Sequence, residues 1–118
     1  MNYVNNVGAQ RKCLEDNLND INDLLSQKLG VRVSLRIIER KGFAGEIFYE
    51  LQDDTNLREL CGVAKYAFET ITIGSWGIYW NDDDVVISFN YYYTHPSGGS
   101  NGTRLCAIRI KDNNVDII

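Results

Sequence analysis

One histidine, one proline and three cysteines in 118 residues leave little room for several common chemistries. His95 alone cannot build a histidine-based metal site, since carboxylates would have to supply the remaining ligands. Cys13, Cys61 and Cys106 are odd in number and widely spaced. That fits neither a disulfide framework nor a zinc pattern, and predicts reduced, mostly buried thiols. The Gly-rich stretch "HPSGGSNG" at 95–102 lacks the Gly-Lys-Ser/Thr ending of a P-loop and feeds a strand instead of a helix. Asp82-Asp83-Asp84 lacks the alternating ligand pattern of a calcium loop and reads as a charged turn. Positive charge is in short supply: 12 Lys and Arg stand against 16 Asp and Glu, a net charge of −4. This argues against extended nucleic-acid backbone binding. No hydrophobic run is long enough for a membrane helix, and "MNYVNNVGAQRK" does not read as a signal peptide. The expectation is a cytoplasmic chain with no membrane contact, metal or cofactor.

What is present is a globular composition. Apolar residues make up 44 % and charged residues 24 %, which argues against disorder and for one domain spanning residues 1–118. Val7, Leu14, Leu18, Ile21 and Leu25 recur at helical spacing, flanked by Leu24 and Leu29. They predict an amphipathic helix from about Asn5 to Leu29, capped by Asn5 or Asn6 and ended by Gly30. The period then becomes two. "VRVSLRIIE" and "FAGEIFYEL" predict a hairpin turning at Arg40-Lys41-Gly42, with positive φ at Gly42. In that register Val33 meets Tyr49, Leu35 meets Ile47, Arg36 meets Glu46 and Arg32 meets Glu50. Phe43, Ile47, Tyr49 and Leu51 share the core face. Leu57, Leu60, Cys61, Ala64, Phe68 and Ile71 predict a second helix that Gly74 ends.

A meander completes the chain. Trp76, Ile78 and Trp80 share one face with Val85, Ile87, Phe89, Tyr91 and Tyr93, and with Arg104, Cys106, Ile108 and Ile110. Pairing places Trp80 by Val85, Ile78 by Ile87 and Phe89 by Ile108. Asp112-Asn113-Asn114 forms a turn, after which "VDII" adds a short edge strand. The fold class is therefore α+β: a curved antiparallel sheet of five to six strands, in α-β-β-α-β-β-β order, with two helices on one face.

Two candidate sites follow. On the face away from the core, Arg109 lies opposite Ser88, with Tyr79, Asn90 and Tyr92 nearby, a floor for a small anionic or nucleotide-like ligand. The second site is the 95–104 loop with His95, Ser97, Asn101 and Arg104, whose Tyr/Ser/Gly/Asn composition suits an adaptable protein-binding surface. The acidic outer face of the first helix is a further candidate contact surface. The leading functional expectation is a non-enzymatic protein-binding module, an accessory or inhibitory protein. Such a chain is compatible with a phage or mobile-element factor that blocks a bacterial defence protein or nuclease. Sequestration of a small ligand is the alternative. A Cys/His enzyme using Cys106 and His95 is the remote one. A homodimer remains open.

Overall fold

The structure, a computed structural model, describes residues 2–53, 70–94 and 100–118. One helix, α1 (Val7–Leu29), precedes six strands: β1 (Arg36–Lys41), β2 (Ile47–Asp53), β3 (Thr70–Trp80), β4 (Asp84–Thr94), β5 (Ser100–Lys111) and β6 (Asn114–Ile117). The strands form one sheet in sequential order, every neighbour antiparallel. The α+β class holds. The second predicted helix, with Cys61, lies outside the described residues, except at its end. Ile71 and Gly74 belong to β3, where "TITIG" alternates with period two, so Gly74 ends no helix.

The caps of α1 explain its bounds. Asn6 accepts a hydrogen bond from the Ala9 amide at 3.0 Å, and Gly30 adopts the left-handed conformation at φ 72° while donating to the Ser26 carbonyl. Cys13, Leu14, Ile21, Leu25 and Leu29 are buried against the sheet, while Glu15, Asp16, Asp20 and Asp23 face solvent. Across the interface lie Leu51, Ile73, Val85, Ile87, Phe89, Cys106, Ile108 and Ile110. Residues 31–35, expected as the start of a strand, instead form an extended tether. Ser26 Oγ accepts from the Val33 amide, Asn22 Oδ1 from Leu35, and Asp53 Oδ2 from Ser34. Side chains thus satisfy backbone groups that a ladder would otherwise have paired.

The first hairpin departs from the expected register by six residues. Ile37 lies opposite Leu51, Glu39 opposite Tyr49, and Lys41 opposite Ile47. The turn spans residues 42–46, and the positive φ of 83° falls on Gly45, not Gly42. Arg36 therefore faces Gln52 instead of Glu46. Glu50 pairs with Arg40 at 3.2 Å, and Arg32 reaches Asp23 at 3.9 Å. Phe43, expected in the core, stands on the turn fully exposed.

In the meander, Trp80 meets Val85 and Ile78 meets Ile87 as expected. Phe89 meets Cys106, and Ile108 meets Ile87, a slip of two residues from the expected pairing. Two bulges interrupt the alternation. One at Trp76 turns Ser75 to the buried side, where its hydroxyl accepts from the Leu51 amide at 2.9 Å. The other, at Leu105, puts Arg104 opposite Asn90, on the face away from the core, and not beside Cys106. The side chains of Trp76, Tyr91 and Tyr93 lie outside the described part. Asp112 and Asn113, both at positive φ, make the two-residue turn into β6.

Candidate functional site

The open sheet face carries a cleft of 410 Å³ lined by Glu50, Leu51, Gln52, Thr72, Gly74, Ser75 and Tyr92. Its origin is local. Among the described residues β2 and β3 pair through two rows, Gln52 with Gly74 and Asp53 with Ile73. Above them, the Ser75 hydroxyl takes the Leu51 amide in place of a backbone carbonyl. Gly74 offers no side chain, and Tyr92, paired diagonally across β4, leans over it. A Cβ at Gly74 would lie 3.1 Å from Tyr92 Cε2 and 3.5 Å from the Leu51 carbonyl oxygen. The cleft is therefore a glycine gap with an aromatic wall on one side and Glu50 and Gln52 on the other. Burial pushes the Tyr92 phenol above its usual range, against the opposing effect of its hydrogen bond to Asn90.

The eight residues singled out from the sequence separate into groups. Asn90 and Tyr92 come together, with Arg104 exposed on the same face opposite Asn90. Tyr79 and Arg109 share a row with Val86. That row is four residues along β4 from Asn90, about 13 Å away at strand spacing. Arg109 lies opposite Val86, not Ser88, and its guanidinium grips Asp84 through Nε–Oδ1 at 2.7 Å and Nη2–Oδ2 at 2.5 Å. This bidentate contact holds the Asp84 carboxyl below its usual range. His95 and Ser97 lie outside the described residues. Asn101 pairs with Tyr93 within the β4–β5 ladder, so residues 100–104 are strand and not loop.

A second surface emerges at the β1–β2 turn. Phe43 is 113 % exposed, Phe48 42 % and Ile47 38 %. A shallow hollow there is lined by Lys41, Gly42, Phe43, Glu46 and Phe48. Alternation assigned Phe43 to the core, and only the turn's position reverses that. Glu50, Gln52, Thr72 and Gly74 had no motif to mark them. Only the hairpin register and the β2–β3 contact gather them.

Among the described residues, no helix is long and apolar enough to cross a membrane, and no three His, Cys, Asp or Glu side chains converge as metal ligands. Fold and surfaces define an α+β chain in which one described helix covers one face of a six-stranded antiparallel meander. No protein-family model, curated protein or solved structure matches it.

Proposed function

We propose that this chain acts as a non-enzymatic protein-binding module, in an accessory or inhibitory role, and that its contact surface is the β1–β2 hairpin. The observation that carries this reading is the exposure of Phe43 and Phe48 around one hollow at the end of the β1–β2 hairpin, which among the described residues pairs with β3 through two rows. Phe43 on the turn is wholly in solvent, and Phe48 beside it on β2 is exposed in part. They are the residue type that anchors interfaces. Arg40, Lys41, Glu46 and Glu50 surround them with charge of both signs, as a polar rim does. The small-anion alternative is less supported, because Arg109 is already engaged by Asp84.

The test is affinity capture from cells that produce the chain, wild type beside the double variant Phe43→Ser, Phe48→Ser. Phe43 is fully exposed and Phe48 is exposed in part, so the variant should stay folded, with a loss of about 0.5 kcal/mol or less at Phe43 and about 1 kcal/mol at Phe48. The expected outcome is a protein retained by the wild type and lost by the variant. Equal retention by both would overturn the hairpin as the contact surface.

A further inference from the structure

We propose that the cleft between Glu50 and Tyr92 is a binding site for a guanidinium group. It borders the hairpin surface, sharing Arg40 and Glu50 with that surface's polar rim, and stands whether or not the hairpin binds a protein. Among the described lining residues Glu50 is the one with a formal charge, which favours a cation. Its carboxylate is held only through Oε2, by Arg40 Nε at 3.2 Å, which leaves Oε1 without a partner among the described residues. The Arg40 and Glu50 side chains are 49 % and 36 % exposed, so this is a rim pair that water and salt screen. A second cation can share or displace it. Tyr92 lines the cleft, and beside an aromatic ring a flat, delocalised cation is better accommodated than a compact, strongly hydrated ammonium. Gln52 and Thr72 add acceptors for the remaining N–H groups. At 410 Å³ the cleft is roomier than the cation alone requires, leaving space for an aliphatic stem.

Besides Arg40, two positive charges could oppose this: Arg36, which lies on β1 opposite the lining residue Gln52 and is engaged in an interaction of its own, and the more distant Arg104. Arg104 lies on β5, three strands from Glu50, roughly 14 Å away at inter-strand spacing. That exceeds the Debye length of about 8 Å at physiological salt, so its repulsion is largely screened. Arg40 itself shows that the Glu50 carboxylate accepts a guanidinium N–H.

The experiment uses the full chain and four blocked or free probes: N-acetyl-argininamide, N-acetyl-lysinamide, the neutral isostere N-acetyl-citrullinamide, and free arginine. Binding is read from the backbone amide shifts of Thr72, Gly74 and Ser75. Saturable shifts with the blocked arginine, weaker ones with lysine and none with citrulline are expected. Free arginine binding as well as the blocked form would assign the site to a small guanidinium compound. Preference for the blocked form would assign it to an arginine within a polypeptide. Glu50→Gln should weaken binding about tenfold or more. Tyr92→Leu should weaken it roughly threefold. Arg40→Ala should strengthen it roughly threefold, because it removes the competing guanidinium. Citrulline binding as well as arginine, an unchanged affinity in Glu50→Gln, or a weakened one in Arg40→Ala would each overturn the site. The citrulline comparison needs no variant, so it decides even if a substitution unfolds the chain.

Discussion

Phe89 has no solvent-exposed surface and sits mid-sheet, on the face that α1 covers. Its replacement by Ala removes ring contacts that the surrounding branched side chains cannot refill. Phe89→Ala should therefore cost about 3–5 kcal/mol. An equilibrium urea curve reads this directly, and an unshifted midpoint would contradict the packing. Cys13 and Cys106 are buried at 4 % and 8 % exposure, and burial pushes both thiols above their usual range. At neutral pH both thiols are protonated and shielded. Both should react slowly with a thiol reagent in native protein and promptly once unfolded. The cysteine spacing already said that these were free thiols, and alternation placed Cys106 inward. Cys13 sits beside the apolar stripe, and only the helix's rotation against the sheet decides its burial.

At the scale of elements, turn chemistry was legible in kind but not always in place. The β5–β6 turn fell where Asp112-Asn113-Asn114 suggested, because Asp and Asn tolerate positive φ. The β1–β2 turn did not, because its stretch holds two glycines and either could serve. The structure puts the left-handed residue at Gly45, where an added Cβ would meet nothing within 4 Å. Gly45→Ala should still lose about 1 kcal/mol, all of it backbone strain. At Gly42 φ is not positive, and the nearest atoms to an added Cβ belong to the Glu46 carboxylate, the far end of a flexible side chain that can swing aside at the loss of its exposed hydrogen bond from the Ala44 amide. Gly42→Ala should then cost less, and thermal melts of the two variants give the comparison. A larger loss at Gly42 would restore the turn expected from the sequence. The hairpin registers slipped by even numbers of residues, six in β1–β2 and two in β4–β5. An even slip keeps every side chain on its face, so alternation cannot detect it.

At the scale of the whole molecule, one pH response follows. Burial raises the Cys13 and Cys106 thiols and the Tyr92 phenol above their usual ranges. Tyr3, whose ring lies tilted against Trp80 with centroids 5.6 Å apart, is pushed up to about 12 by burial and then by its hydrogen bond with Cys13. Each group holds its proton more tightly folded than unfolded. The stability this contributes is complete below the unfolded values and is lost as pH climbs through 9 and 10 toward the folded ones. The denaturation midpoint should therefore be lower at about pH 10.5 than at about pH 7, and a flat profile would contradict the burial of these groups. The sequence by itself determined the bounds and inner stripe of α1, the alternation of the later strands, the edge strand β6 and the α+β class. These are set by local spacing, caps and turn residues, which act within a few positions of one another. Only the tertiary structure decided the strand registers, the two bulges and the company of Glu50, Gln52, Gly74 and Tyr92. A bulge inserts one residue and reverses a face, as at Ser75 and Arg104, with no local marker in the chain. The cleft likewise forms where Ser75, not a backbone carbonyl, meets the Leu51 amide beside Gly74, and that depends on how separate parts of the sheet settle against one shared core.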